Sequence, residues 1–212
     1  MAKPTVEVRD ARRRLRGLRL GLPRAERRSH ERAIVARLRG LGLLRRGSRV
    51  AVYLPVRGEV DLSAIFAYAR RSGAVLYVPQ IISRRRREME FAPLAADARL
   101  RANRYGIPEP ASTRRRLRSS ELDVVLVPVV GFDRRGHRLG MGAGFYDRAL
   151  RRRLRSTGGW RRPVLIGIAF AFQELPRVDS SPWDVPLDLF VTDAGVVVSR
   201  HPPAGTGAEE PP

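Results

Sequence analysis

The sequence predicts an α/β fold: a single domain over residues 1–200, with a mostly parallel sheet flanked by helices and a glycine-rich loop at the sheet's C-terminal edge. Three observations predict it. The apolar runs SRVAVYLPV, GAVLYVPQI, LDVVLVPVV and RRPVLIGIAFAF are nearly continuous rather than alternating, as in strands buried on both faces. Segments with apolar residues at i, i+3, i+4 and i+7 lie among them, the spacing of one helical face. A strand, a helix and a strand in that order imply a parallel crossover.

In chain order, residues 6–22 read as a first helix with Ala11, Leu15, Leu18 and Leu22 on one stripe. Pro23 starts a second, with Ile34, Leu38 and Leu41 as its core face. SRVAVYLPV is the first buried strand. A helix follows from near Asp61, which reads as its N-cap, with Leu62, Ile65, Phe66 and Ala69 inward. GAVLYVPQI is the next strand, and a basic loop through Arg84–Arg87 leads to a short strand at Met89–Phe91. NRYGIPEP, with two prolines and a glycine, predicts a rigid turn rather than a helix or strand. LDVVLVPVV and RRPVLIGIAFAF supply further strands. The proline-rich stretch 173–186 stays irregular until LDLFVT, and the tail 201–212, HPPAGTGAEEPP, reads as disordered.

With 212 residues the chain is long enough to bury a core without staples. It has no cysteine, which excludes disulfides, thiol nucleophiles and thiolate metal sites. The histidines, at 30, 137 and 201, are too scattered for a metal cluster. No apolar run approaches the ~18 residues of a membrane span, and a cytoplasmic location without membrane contact is expected. The formal net charge is +21, almost all of it arginine. Such a field attracts polyanions without specificity. The arginine runs lack interleaved aromatics for base stacking, so a basic nucleic-acid-binding protein is kept only as the alternative reading.

The chemistry concentrates in Asp133–Asp147, DRRGHRLGMGAGFYD, between the run LDVVLVPVV and the helical pattern FYDRALRRRL. Glycines at 140, 142 and 144 alternate with Met141 and Ala143, which lets the backbone approach a ligand closely. Arg138 stands two residues before the first glycine and suits a phosphate. Asp147 lies just inside the helix, within reach of the same anion, and is a candidate Mg²⁺ ligand. A Walker A loop would end in Lys-Ser/Thr, and the dinucleotide fingerprint needs G-x-G-x-x-G; neither is present.

The stretch resembles the signature of the 5-formyltetrahydrofolate cyclo-ligase (5,10-methenyltetrahydrofolate synthetase) family. That signature is an aromatic-Asp pair, a Gly, then R-L-G-x-G-x-G-[FY]-Y-D, here Phe132, Asp133, Gly136 and Arg138 to Asp147. The resemblance implies an ATP- and Mg²⁺-dependent conversion of 5-formyltetrahydrofolate, polyglutamylated or not, to 5,10-methenyltetrahydrofolate; a monomer is the separate expectation for the assembly. It implies ATP contacts from Arg12 and Arg16 in a K-x-x-L-R-like element, and from Arg138, Leu139, Gly140, Met141, Gly142, Ala143, Gly144, Phe145 and Tyr146. Arg138 and Tyr146 carry the expected catalytic roles. Leu54, Glu59, Phe145 and Tyr146 are the implied folate contacts, together with Tyr105 in a Y-G-I-x-E-P-like turn, where a packing role is the other reading. Asp147 and Asp188, the second aspartate of the C-terminal D-x-x-[LV]-D pattern, are the implied metal pair. Arg12 stands where many members have Lys, and Phe145 where many have the first Tyr of the pair.

Overall fold

The computed structural model describes residues 5–83, 85–103, 106–111, 115–155 and 162–200. Tyr105 and the tail 201–212, both singled out above, lie outside these residues.

Helices α1 (Val6–Gly21) and α2 (Arg24–Gly40) open the chain, and strand β1 (Arg49–Ala51) leads through α3 (Ser63–Arg71) to β2 (Val75–Ser83) and β3 (Glu88–Pro93). A hairpin of β4 (Leu100–Ala102) and β5 (Pro108–Pro110) precedes β6 (Val124–Pro128), and a second, of β7 (Gly131–Phe132) and β8 (Arg138–Leu139), follows it. Then come α4 (Phe145–Leu150), β9 (Val164–Ile168), β10 (Leu189–Val191) and β11 (Val196–Val198). The main sheet has the order β11-β10-β9-β6-β1-β2-β3. Its five central strands are parallel, and β3 and β11 close the edges antiparallel.

Both faces of this sheet are covered, which explains the continuous apolar runs. Val124 and Leu126 pack with Ile34 and Leu38 of α2 and with Ile65, Phe66 and Ala69 of α3. Val125 and Val127, pointing the other way, pack with Leu150 of α4, Phe91 and Phe190. The N-cap of the third helix is Leu62 rather than Asp61, whose carboxylate accepts the Ser63 N–H at 2.8 Å from one residue further back.

Three further local expectations change. On α1, Leu15 is buried but Leu18 is 49 % exposed, and Arg19 takes the inward position instead. The NRYGIPEP stretch contributes a strand, because Pro108 and Pro110 fall where the ladder needs no donor. Bonding alternates through Ile107 O, which accepts from Asn103, and Ala111 N–H, which donates to Arg99. The helix after the glycine loop is only six residues long and passes into a 3-10 turn at Arg151–Arg155.

Gly167 of β9 sits opposite Phe190 of β10. A Cβ there would lie 2.1 Å from the Phe190 ring, which is fully buried and stacked on Phe132 with centroids 4.3 Å apart. The ring has nowhere to go. Gly167→Ala is expected to lower stability by at least the ~1–3 kcal/mol typical of overpacking, read as a fall in denaturation midpoint; an unchanged midpoint would show that the two strands can part.

Candidate active site

The strand order reverses between β1 and β6: the chain runs from β1 outward to β2, then returns to β6 on the other side and continues to β9 and β10. Loops leaving β1 and β6 therefore diverge, and a crevice opens at the carboxyl ends of these strands, where open α/β sheets bind ligands. A cavity of about 610 Å³ lies there. Tyr53 and Leu54 beyond β1, Val78 and Pro79 of β2, and Pro128 of β6 line it.

One wall is built by the segment after β6. Asp133, fully buried, ties the turn of the β7–β8 hairpin. Its carboxylate accepts the N–H groups of Arg135 (2.9 Å), His137 (3.1 Å) and Val178 (3.0 Å) and the Arg135 side chain at 2.8 Å. Burial alone would push this carboxyl up; the amides and Arg135 together hold it below the usual carboxylate value. The hairpin thus presents Arg138 to the cavity. Arg138 donates to the Asp147 carboxylate and to the Val185 carbonyl, and Asp147 also accepts the Val185 N–H at 3.3 Å.

The loop from Leu139 to Tyr146 lines the cavity throughout. Gly142 (φ 89°) and Gly144 (φ 72°) use the left-handed backbone available to glycine, and the space where a side chain of Gly140 would stand is open. Arg12 reaches across from α1, its Nε donating to the Gly140 carbonyl at 2.7 Å while its guanidinium lies against Gly142. Burial draws the Arg12 pKa below its ordinary value.

The opposite wall carries Glu59, whose carboxylate accepts the Val56 N–H at 3.1 Å. Burial pushes its carboxyl up, with the Val56 amide, Arg19 and Arg57 opposing. Tyr146 lies between the walls. Burial and the nearby Glu59 push its phenol well above the ordinary value, against Arg138, which keeps its proton in place. The Glu59 shift has a consequence for folding. A carboxyl that is harder to ionise when folded opposes folding increasingly as pH rises from its ordinary value near 4.5. Glu59→Gln is therefore expected to raise the melting temperature at neutral pH and to leave it unchanged in acid, where both side chains are neutral. A melting curve unaltered at neutral pH would mean Glu59 is fully solvated.

Not every expected residue reaches the cavity. Leu54, Glu59, Arg12, Arg138, the loop Leu139–Gly144, Phe145, Tyr146 and Asp147 line it; Arg16 and Asp188 do not. Arg16 lies one turn beyond Arg12, about 6 Å along the helix axis, and its buried Nε has no hydrogen-bond partner. Asp188 is the larger correction. Its carboxylate, 29 % exposed, is held by the Arg153 guanidinium and accepts the Leu165 N–H at 2.7 Å. Strands β9 and β10 are parallel, so the chain between them crosses from the C-terminal edge to the N-terminal edge, and Asp188 stands at the end of that crossing. Asp184, four residues earlier, lines the cavity with Asp147, its carboxylate accepting the Ser181 N–H at 2.8 Å. Of the two aspartates in this pattern, Asp184 is the one that lines the cavity, and Asp188 lies outside it. The available signal was position: Asp188 directly precedes an apolar run, whereas Asp184 sits in the irregular stretch. Trp183, 54 % exposed, and Arg177 also line the cavity and were missed.

Two carboxylates and two guanidinium groups around an open glycine loop fit a bound polyphosphate with Mg²⁺, an ion that takes one or two protein carboxylates and keeps waters and phosphate oxygens for the rest. Among the described residues no helix is long and apolar enough to cross a membrane. A crevice of this composition at the switch point of an open sheet defines an α/β enzyme acting on small molecules.

The profile of the 5-formyltetrahydrofolate cyclo-ligase family matches residues 4–193. The chain is an enzyme of the 5-formyltetrahydrofolate cyclo-ligase family. It is 28 % identical to the 5-formyltetrahydrofolate cyclo-ligase of Haemophilus influenzae, an alignment covering 84 % of this chain and 93 % of the relative. Its identity to the enzyme of that name from Escherichia coli strain K12 is 34 %, covering 69 % and 79 %. The solution structure of Aquifex aeolicus 5,10-methenyltetrahydrofolate synthetase superposes with a TM-score of 0.77 at 29 % identity, covering 95 % of this chain and 97 % of that one. The alternative of a nucleic-acid-binding protein receives no support from these relatives.

Proposed function

We propose that this enzyme converts 5-formyltetrahydrofolate to 5,10-methenyltetrahydrofolate, using ATP and Mg²⁺ and releasing ADP and phosphate. The observation that carries the reading is a single cavity with Glu59 on one wall and Arg12, Arg138, Asp147 and the glycine loop on the other. A pterin offers adjacent N–H donors, and Glu59 is a carboxylate suited to accept them. Family membership supports the folate substrate.

ATP supplies the phosphoryl group that makes the formyl oxygen a leaving group: the oxygen takes the γ-phosphoryl as ADP departs, N10 attacks the formyl carbon and gives up its proton, and phosphate leaves as the C–O bond breaks. Mg²⁺ supplies neutralisation of phosphate charge. Little covalent chemistry then falls to the chain, whose residues align and compensate charge. Arg12 and Arg138 hold the polyphosphate against the loop amides, and Asp147 and Asp184 hold the ion. Glu59 and Phe145 orient the pterin ring. The protonated Tyr146 hydroxyl donates towards the oxygen that becomes charged.

The test is the rise in methenyltetrahydrofolate absorbance in the near ultraviolet on mixing the protein with 5-formyltetrahydrofolate, Mg²⁺ and ATP. An ATP-dependent rise that collapses in Asp147→Asn supports the reaction together with the carboxylate's role. A flat trace from folded protein that binds ATP rejects the reading.

A further inference from the structure

Behind the Glu59 wall lies an arrangement that the reaction itself does not require. Arg19 of α1 is 2 % exposed, a cation placed in the interior beneath the cavity. One Nη donates to the carbonyl of Arg57 at 2.9 Å and the other to the carbonyl of Val129 at 3.4 Å, while Nε has no hydrogen-bond partner. Arg27 of α2 works beside it, donating to the Gly58 carbonyl at 3.0 Å and to the Arg19 carbonyl, with its guanidinium 5.4 Å from the Phe170 ring centroid. The two carbonyls gripped in the loop belong to consecutive residues with positive φ, Arg57 (51°) and Gly58 (75°). A non-glycine residue in that region is strained and persists only where its surroundings over-determine it.

The next residue is Glu59. The Val129 carbonyl, which also accepts from the buried Gln173 at 2.9 Å, is the first beyond β6 and opens the hairpin that presents Arg138. Arg19 therefore joins the two loops that diverge at the switch point, one carrying Glu59 and the other Arg138.

We propose that Arg19 is a positioning residue that sets the separation of Glu59 from Arg138, and with it the alignment of the formyl oxygen with the transferred phosphoryl group. This rests on the reading of Glu59 as the pterin ligand. Burying an arginine is costly, and a hydrophobic residue of similar length would pack α1 without that cost. What such a residue lacks is two donors directed at two different loops. The charge has a second effect: Glu59 is the largest favourable charge acting on Arg19. The groups facing Glu59 are Arg19 from α1, Arg57 on its own loop, Tyr53 beyond β1 and Tyr146 from α4.

The experiment uses the full chain with Arg19→Met, Arg19→Lys, Glu59→Gln and the Arg19→Met/Glu59→Gln pair. Arg19→Met should lower kcat by about 10–100-fold, the scale of a misplacement near 1 Å, while ADP affinity stays within about twofold. The acid limb of kcat/KM for the folate should move to higher pH, because Glu59 loses the cation that favours its charged form. Arg19→Lys should leave that limb in place, since the charge is retained, while kcat still falls. In the Glu59→Gln background the Arg19→Met loss should shrink several-fold. Equal losses in both backgrounds with an unmoved limb would make Arg19 a structural residue only and overturn the proposal. Should Arg19→Met fail to fold, a parental kcat in Arg19→Lys overturns it equally. If Glu59→Gln alone leaves kcat/KM for the folate unchanged, the pterin reading fails and the positioning role goes with it; a fall there with additive losses rejects the positioning role alone.

Discussion

Arg138→Ala is expected to lower kcat/KM by about 10²–10³-fold, the ~3 kcal/mol that a donor to a developing charge commonly contributes to a transition state. The geometry makes this residue unusually exposed to loss. Its guanidinium stands in the cavity wall yet its side chain is only 7 % exposed, and it binds both Asp147 and the Val185 carbonyl. Truncation removes a phosphate donor, leaves Asp147 without its cation, and frees the segment that carries Asp184. Arg138→Lys keeps the charge but replaces a planar fork with a point charge, so it should recover only part of the rate. ADP affinity and melting temperature, measured alongside, separate lost catalysis from lost folding. A parental rate in Arg138→Ala would remove this residue from the reaction.

The second large effect separates two aspartates four residues apart. Asp184→Asn should weaken Mg²⁺ dependence by at least the ~10–100-fold that loss of an outer-shell partner costs a metal site, with the melting temperature little changed. Asp188→Asn should do the reverse. It takes the charge from the partner of the buried Arg153 and from the acceptor of the Leu165 N–H, which should cost about 1–3 kcal/mol of stability and leave the Mg²⁺ titration where it was. If Asp188→Asn shifted the Mg²⁺ titration and Asp184→Asn did not, the metal assignment drawn from the cavity would be wrong.

Much of the architecture was legible from pattern. Continuous apolar runs announced strands covered on both faces; β1, β6 and β9 lie within the predicted segments, and β2 runs two residues beyond its own, to Ser83. Helical spacing found α1, α2 and α3. Where the reading slipped, a residue was judged by its local class alone. Leu18 looked like core and Arg19 went unremarked, because nothing in the sequence reveals that the carbonyls of Arg57 and Val129 wait beneath α1. Pro108 and Pro110 argued against a strand, because ladder parity depends on a partner that local sequence does not name. The site was read in the same uneven way. Asp133 to Asp147 is contiguous, so its motif survives as a string, and the segment Arg138–Asp147 does line the cavity. Asp184, Trp183 and Arg177 come from a proline-rich stretch without a periodic signal.

The sequence by itself determined the class of fold, the glycine loop with its flanking arginine and aspartate, and the family, since all of these are local strings or periodicities. Tertiary structure alone decided which side of the sheet each remaining charge occupies. Asp184 and Asp188 differ by four positions and a sheet edge, and the difference follows from the parallel pairing of β9 with β10, which obliges the connection to cross the sheet. Arg19 is set by the same kind of fact: the strand order reverses between β1 and β6, their loops part, and a buried cation with two donors spans the gap.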